Sequence, residues 1–338
     1  MRKLTNKIIF LINSLLAFVL LLSYLLPYVS PQTFPLLSVL SLAVPILILI
    51  NVLFLIYWAV QLNRRLLVSL IVLILGISHV TSLYKLQGKT SDEASGVLSF
   101  LSYNVHSFNR FHWIDSETIP QDISSLVKEQ DPTIFCAQEY YNNPDIDFDQ
   151  YPHKHEYFNR NHGELALVIF SKYPLLNRGS LSFENTANNV IFADVITPTD
   201  TLRIYNVHLQ SHKISDVASG RMKENSQKLL KRIQFSFKIQ QIQAEQLIDH
   251  MKLSPYKNIV MGDFNNTAYS YVYDKITSEN LQDTFREAGS GFGKTFEFQF
   301  FPARIDYILV PYEAEVLEFT TFKDELSDHY PIFSKIKL

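Results

Sequence analysis

Three long apolar stretches occupy the N-terminal part of the 338-residue chain. Two of them, Ile8 to Leu26 and Leu36 to Val60, contain no charged residue. At about 1.5 Å of rise per residue, a helix over either stretch approaches the roughly 30 Å hydrocarbon core of a bilayer. The third stretch, Leu66 to Leu83, is the weakest because polar residues fill its last turns. The pattern predicts three transmembrane helices, the third with a partly interfacial end.

A cleaved signal peptide is the alternative interpretation of the first stretch. The sequence Leu26-Pro27-Tyr28-Val29 that follows it lacks the small residues typical of a cleavage site. Length and flanking residues therefore favour a membrane anchor. Pro45, inside the second stretch, is tolerable there because neighbouring membrane helices can satisfy the carbonyl group that it leaves free.

Basic residues near these stretches predict the orientation. They lie before the first stretch and between the second and third, as Arg2, Lys3, Lys7, Arg64 and Arg65. The connection 27–35 has no Lys or Arg, so the positive-inside rule places the N-terminus in the cytoplasm and, after three crossings, residues beyond 83 outside. If the third stretch does not cross, those residues are cytoplasmic instead.

The single cysteine, Cys136, lies in an apolar run and does not decide the compartment.

The pattern changes after residue 86. Residues 87–96 contain no large apolar side chain and are predicted to link a membrane anchor, residues 1–86, to one large domain, residues 97–338. Runs rich in Val, Ile, Phe and Tyr predict strands at 98–105, 133–138, 165–170, 190–196, 202–208, 258–262, 305–310 and 332–336.

Two segments of this domain have helical periodicity instead. They run from Ile119 to Glu129 and from Ser219 to Met251. In the longer one the apolar positions are Leu229, Leu230, Ile233, Phe237, Ile242 and Leu247. Few helices mixed irregularly with many strands predict an α+β sandwich with helices outside packed sheets.

The net charge differs in sign between the two parts of the chain. Residues 97–338 carry 23 Lys and Arg against 31 Asp and Glu, whereas residues 1–96 carry 7 against 2. An acidic domain argues against a large electrostatic contribution to nucleic-acid binding. The exception is segment 221–238, in which six basic residues and one acid alternate with apolar residues. That segment is interpreted either as a solvated helix face over the core or as a surface for anionic lipid headgroups or nucleic acid.

Polar groups follow several of the predicted strands. Glu139 comes directly after an apolar run, and Asp263 and Asn265 flank Phe264 after another. A firmly held carboxylate with an amide nearby suits Mg²⁺, which prefers oxygen ligands. Each group also has an ordinary interpretation, since Glu139 alone could be a strand-end carboxylate and the Asp-Asn pair a turn.

Two imidazoles occupy similar positions. His208 ends a predicted strand, and His329 follows Asp328. Histidine titrates near neutrality and can act as a base or an acid. Because Cys136 has no surroundings that would lower its pKa, these groups favour metal-assisted hydrolysis over covalent catalysis.

Six short segments, in this order, resemble the endonuclease/exonuclease/phosphatase family, which includes deoxyribonuclease I, abasic-site endonucleases, inositol polyphosphate phosphatases and neutral sphingomyelinases. The resemblance covers roughly residues 97–338. The segments are Ser102-Tyr103-Asn104-Val105, Gln138-Glu139, Asn206-Val207-His208-Leu209, Gly262-Asp263-Phe264-Asn265, Arg304-Ile305-Asp306-Tyr307-Ile308 and Ser327-Asp328-His329-Tyr330-Pro331. The resemblance implies a four-layer fold of two packed sheets flanked by helices, with the site at one edge.

The resemblance also implies roles. Glu139 is expected to be the principal ligand of Mg²⁺ or Mn²⁺, with Asn104 beside it and Asp328 as a further candidate ligand. Asp263 would position the attacking water, and Asn265 would stabilise the charge on phosphorus.

The two histidines complete the expected site. His329 would face the phosphate, oriented by Asp306 or Asp328, and His208 would contact the phosphate or assist the leaving group.

One position departs from the family, since abasic-site endonucleases carry an Asp two residues after the first-motif Asn and this chain has His106. That departure weakens the case for a second metal ligand there and for DNA repair.

The sequence thus predicts a membrane-anchored, Mg²⁺- or Mn²⁺-dependent phosphoesterase that hydrolyses a phosphodiester. The substrate is left open among a phospholipid, a nucleic acid and a small phosphoester, as is the oligomeric state. A nuclease and a catalytically silent scaffold of the same fold are the alternatives, the second disfavoured because packing does not require so many polar groups.

Overall fold

A computed structural model describes residues 2–89, 96–144, 146–158, 165–184, 186–214, 223–298 and 301–338. Most of the predicted linker, residues 90–95, lies outside the described residues.

The N-terminal region is helical. Its helices are α1 (Arg2–Ser23), α2 (Pro35–Leu40), α3 (Val44–Val60), α4 (Leu66–Leu75) and α5 (Ile77–Leu83). A 3-10 turn joins α2 to α3, and Pro45 lies in the first turn of α3, where its missing N–H has no partner to lose. Two continuous helical stretches, Lys3–Tyr28 and Pro35–Val60, are long and apolar enough to cross a membrane.

The third predicted helix is a bent pair. Helices α4 and α5 meet at Gly76 with an angle of 83° between them, so residues 66–83 form a third span only if the pair counts as one. The ring of Tyr24 lies against Gly76, where an added Cβ would be 2.0 Å from the ring, and its hydroxyl donates to the Val72 carbonyl at 2.9 Å. The absence of a side chain at Gly76 therefore lets α1 approach the bend closely.

A buried polar network joins the three apolar helices. Asn13 Nδ2 donates to Ser69 Oγ at 2.7 Å, Ser69 Oγ donates to Asn51 Oδ1 at 3.2 Å, and Trp58 Nε1 donates to Asn13 Oδ1 at 2.9 Å. All four side chains are fully buried, while many large apolar side chains of these helices face outward. Polar groups inside and apolar groups outside are the arrangement that a lipid environment favours.

The C-terminal domain contains fourteen described strands. They are β1 (Val97–Asn104), β2 (Ile134–Tyr140), β3 (His153–Phe158), β4 (Ala166–Ser171), β5 (Leu175–Ser180), β6 (Asn189–Ile196), β7 (Thr201–His208), β8 (Lys257–Asp263), β9 (Leu281–Asp283), β10 (Phe296–Phe298), β11 (Phe301–Ala303), β12 (Asp306–Pro311), β13 (Glu315–Thr321) and β14 (Ile332–Lys337). One six-stranded sheet has the order β13-β14-β1-β2-β4-β3, and the other has the order β5-β6-β7-β8-β12-β9.

Helices cover the outer faces of both sheets. They are α6 (Ile119–Gln130), α7 (Ser226–Lys252) and α8 (Tyr271–Thr277). Helix α9 (Thr284–Ala288) instead places Phe285 and Ala288 in the core between the sheets. Helix α6 packs on the first sheet, and α7 and α8 pack on the second. Apolar residues of the two sheets' inner faces form the central core. The four-layer α+β sandwich predicted from the sequence is confirmed.

All eight predicted strands are present within one or two residues of their expected bounds. Strands β3, β5, β9, β10, β11 and β13 were not predicted from the sequence. Strands β3 and β5 are edge strands whose side chains are largely half-buried or exposed, so they lack the apolar runs by which strands were sought. The helix predicted from residue 219 begins at Ser226, and residues 215–222 lie outside the described part of the chain.

Hydrogen bonds join the N-terminal region to the C-terminal domain. Ser30 Oγ donates to Gln241 Oε1 at 2.9 Å, and Gln32 Nε2 donates to the Lys238 carbonyl at 2.7 Å. The Tyr269 hydroxyl donates to the His79 carbonyl at 3.2 Å. Buried Arg304 pairs with Asp283 at 2.7 Å and donates to the Ser82 carbonyl at 3.2 Å.

Candidate active site

The predicted polar residues lie together at one edge of the sandwich because of the directions in which their strands run. Strand β1 runs parallel to β2, and β7 runs parallel to β8, so the carboxyl ends of each pair lie together. His208 is directly opposite Asp263 in the register of β7 and β8. Strand β12 is antiparallel to β8 and begins at Asp306, opposite Asp263. The positions of His208, Asp263 and Asp306 are therefore set by the points at which buried strands end or begin.

Asp263 is the centre of the cluster. Its side chain is buried, and it accepts hydrogen bonds from Asn104 Nδ2 at 3.2 Å and from the Asn265 backbone N–H at 2.7 Å. His208 Nε2 and His329 Nε2 each lie 3.6 Å from Asp263 Oδ2. Burial raises the pKa of Asp263 to about 6, although the two imidazoles and the Asn265 N–H act in the opposite direction.

His329 is held by a carboxylate. Its Nδ1 lies 3.0 Å from Asp306 Oδ2, and both side chains are buried. Burial alone would lower the pKa of His329, but the carboxylates of Asp306 and Asp263 outweigh it and raise that pKa well above its ordinary value. The Ser327 hydroxyl accepts from the His329 N–H at 3.2 Å and donates to the Asn104 carbonyl at 2.9 Å, which fixes the histidine loop to β1.

Asp328 points to a different partner. Of the two carboxylates considered for orienting His329, Asp306 contacts its Nδ1, whereas Asp328 Oδ1 lies 2.9 Å from His106 Nδ1. Burial raises the pKa of Asp328, but the hydrogen bond with His106 and the charge of His329 lower it more, to about 2. His106 thus pairs with Asp328 through Nδ1 and stacks on Trp113 at 3.6 Å between ring centroids.

Glu139 lies at a bulge between β2 and β4, with φ of 49°. Its carboxylate is partly open to the cleft, with 26% of the side chain exposed, and Asn104 Nδ2 lies 3.4 Å from its Oε1. His208 Nε2 is 3.8 Å from the same oxygen. An accessible carboxylate with amide and carboxylate groups around it fits a hard divalent cation.

A second group could also hold a metal ion. Asp263, Asp306 and His329 each offer one ligand atom within 4.8 Å of the others, and all three are buried. The hydrogen bond between Asp306 and His329 already occupies part of this group. The accessible Glu139 therefore fits an exchangeable Mg²⁺ or Mn²⁺ better than the buried group does.

A cleft of about 410 Å³ is lined by Glu139, His208, Asp263, Asn265, Asp328 and His329, whereas Asn104 and Asp306 are not part of its lining. The structure adds residues that the sequence analysis did not single out, including Phe111, Trp113, Lys213 and Phe296. Phe296 begins β10, and the other three lie in loops. The loop that carries Phe111 and Trp113 follows a run of left-handed residues, His106–Asn109, which strand periodicity does not reveal. The aromatic residues after the Asn104 motif were a signal in the sequence for Phe111 and Trp113, but not for Lys213 or Phe296.

The fold and this cluster of residues are those of proteins that act on phosphoesters, and a family model matches the chain accordingly. A model described as the endonuclease/exonuclease/phosphatase family matches residues 101–329, so the chain belongs to that family. Residues 6–83 match a family described as a domain of unknown function. A search of curated proteins found no match.

Solved structures of low sequence identity share the fold. The human Nocturnin catalytic domain with bound sulfate is 15% identical with a TM-score of 0.54, over 74% of this chain and 97% of that one. D. rerio TDP2 humanized by 14 mutations is 16% identical with a TM-score of 0.53, over 72% and 100%. A family protein from Bacteroides thetaiotaomicron is 18% identical with a TM-score of 0.51, over 71% and 97%.

Proposed function

We propose that the protein is a membrane-anchored, metal-dependent phosphoesterase that hydrolyses a phosphodiester by attack of water. The observation that carries this proposal is the convergence on one cleft of buried Asp263, the His329–Asp306 pair and His208, beside the accessible carboxylate of Glu139. Packing alone would not gather two imidazoles and three carboxylates at the end of an apolar sandwich, because unneutralised buried charge is costly.

The residues divide the chemistry of water attack between them. Asp263 positions the water and accepts its proton, a role that suits a carboxylate with a pKa of about 6 at neutral pH. His329, held by Asp306, carries positive charge at the non-bridging oxygens of the phosphate. His208 donates to the phosphate or the leaving group, and the Asn265 amide stabilises the charge that develops on phosphorus.

Metal binding is assigned to Glu139 with Asn104 beside it. A bound Mg²⁺ or Mn²⁺ supplies positive charge that polarises the phosphoryl group. Asp328 is a weaker candidate ligand, since its carboxylate already pairs with His106. Its proposed role is to hold that imidazole against Trp113 at the rim of the cleft.

The catalytic domain is proposed to lie outside the cytoplasm. Ser30 and Gln32, in the connection without basic residues, contact this domain. At the other end of the helices, Asn6 donates to Gln61 at 2.9 Å and Arg65 donates to the Asn6 carbonyl at 2.9 Å. The positive-inside rule assigns the end with the basic residues to the cytoplasm, which supports this orientation.

A nuclease is the second candidate. Phe111 and Trp113 are 62% and 40% exposed beside the cleft, and exposed aromatic rings at such a position can stack on bases. The excess of acidic residues in residues 97–338 opposes binding of a polyanion.

The test is hydrolysis by the full chain in lipid nanodiscs with Mg²⁺. Substrates are bis-p-nitrophenyl phosphate, p-nitrophenyl phosphate, an oligonucleotide and a fluorescent phospholipid. The proposal expects cleavage of the diester faster than the monoester, and loss of that activity in His329→Gln. Activity on the oligonucleotide that falls steeply with salt would favour the nuclease. No turnover of any substrate by the folded chain would support the silent scaffold.

A further inference from the structure

The longest helix of the domain carries an exposed stripe of cationic and apolar side chains. Lys228, Lys231, Phe235, Lys238 and Ile242 recur at alternating spacings of three and four, so they share one face of α7. Phe235 is 63% exposed and Ile242 is 47% exposed. The opposite face buries Ala244 and Leu247 against the second sheet. The core therefore accounts for one face of α7, and the side chains of Phe235 and Ile242 on the other face stay exposed among the described residues.

The stripe lysines have no neutralising partner in the described part of the chain. No described carboxylate lies within ion-pair distance of Lys228, Lys231 or Lys238, in contrast to Arg232, which pairs with Glu224 at 2.9 Å. The stripe is thus a local positive surface on a domain that is acidic as a whole. Charge complementarity points to an anionic partner.

The stripe lies beside the point where the second span begins. Gln32 donates to the carbonyl of Lys238, a stripe residue, and Ser30 donates to Gln241 in the next turn. Helix α2, which starts the span Pro35–Val60, packs against α7. Leu36 and Leu40 of α2 are themselves exposed. The stripe is therefore continuous with the surface that a bilayer must cover.

We propose that the stripe rests on the surface of the bilayer that holds the spans and binds anionic phospholipid headgroups. The three lysines contact headgroup phosphates, while Phe235 and Ile242 enter the boundary between headgroups and acyl chains. A nucleic acid fits less well, because a phosphate backbone offers nothing to the exposed isoleucine and the stripe adjoins the membrane. This inference is independent of catalysis and does not rest on the proposed function.

The test measures how close the stripe is to lipid in the full chain. A Phe235→Cys variant is labelled with an environment-sensitive fluorophore and placed in nanodiscs that contain a spin-labelled quencher lipid. The native Cys136 is buried and does not compete for the label. The matched control is Leu176→Cys, a similarly exposed apolar position near the start of β5, at the end of the sandwich away from the cleft.

With phosphatidylglycerol mixed into phosphatidylcholine, quenching at position 235 should exceed that at position 176 several-fold. Replacing Lys228, Lys231 and Lys238 by Gln in the labelled chain should bring quenching at 235 down toward the control value. Equal quenching at the two positions, or quenching that the lysine replacements do not change, would overturn the proposal. So would an oligonucleotide that binds through these lysines while position 235 stays as unquenched as the control.

Discussion

At the scale of single residues, the site is organised around one buried carboxylate. Asp263 lies within 3.6 Å of two imidazoles and is held by the Asn265 N–H and the Asn104 amide. The sequence singled out His208, Asp263 and Asn265 because they follow apolar runs, and the end of a strand is where a rigid scaffold meets solvent. His329 was singled out as an imidazole next to a carboxylate, and Asn104 through the family resemblance. It left open which carboxylate orients His329, because Asp306 lies 23 positions away and only the pairing of β12 with β8 brings it near.

Replacing His329 should remove most of the activity. His329→Gln keeps a polar side chain of similar size but cannot carry the positive charge that Asp306 and Asp263 favour. We expect kcat to fall by roughly 10²–10³, the range typical of losing one group that stabilises developing charge, with a small change in KM. His153→Gln, on edge strand β3, is the matched control and should keep full activity. A kcat within threefold of wild type in both variants would remove His329 from the mechanism.

Gly262 should tolerate no side chain. Its φ of 138° is unfavourable for other residues, and a Cβ would lie 2.1 Å from the Val207 carbonyl oxygen on the neighbouring strand. Gly262→Ala should lower the free energy of unfolding by about 2 kcal/mol or more and displace Asp263. Thermal unfolding measures this effect. Gly96→Asn, at a left-handed position with open space around it, should unfold like wild type. Equal melting temperatures for all three proteins would show that the close approach of β7 and β8 is not required.

At the scale of elements, the predictable strands were the buried ones. Eight apolar runs became strands of the two sheets, while polar edge strands such as β3 and β5 carried too weak a pattern. The bend at Gly76 was not predicted either, since hydropathy averages over a window and does not register Tyr24 packed against one glycine. Buried strands could be predicted from the sequence because their apolar runs are visible in it. The bend at Gly76 could not be predicted because it depends on a contact with a residue distant in the sequence.

Arg304 should couple the membrane helices to the catalytic strands. It lies two residues before Asp306, pairs with Asp283 and donates to Ser82 in α5. Arg304→Gln leaves Asp283 buried without its charge partner, a loss typically of about 3–5 kcal/mol. We expect faster hydrogen exchange in α5 as well as a lower melting temperature.

Arg203→Gln is the matched control for that variant. Arg203 makes a similarly buried pair with Asp194 at 2.6 Å, between β6 and β7. It should lower the melting temperature without changing exchange in α5. If exchange in α5 responds equally to both variants, Arg304 acts through general stability and not through its contact with Ser82.

At the scale of the whole molecule, the catalytic domain and the connection 27–35 should lie on the same side of the membrane. Leu62, in the connection between α3 and α4, and Tyr312, after β12, are both highly exposed. An impermeant thiol reagent applied to intact expressing cells should label Tyr312→Cys and leave Leu62→Cys unlabelled until the cells are permeabilised. The reverse pattern would place the domain in the cytoplasm and contradict the predicted orientation.

We propose that Glu139 belongs to a metal-dependent phosphodiesterase centre. The most direct test of this proposal is the rate of bis-p-nitrophenyl phosphate hydrolysis by the EDTA-treated full chain in nanodiscs, titrated with Mg²⁺ or Mn²⁺. We expect no turnover without metal, saturable recovery in the wild type, and an activation curve for Glu139→Gln that is shifted to much higher metal concentration or absent. Turnover that is unaffected by EDTA, or a Glu139→Gln curve that overlays the wild-type curve, would contradict it.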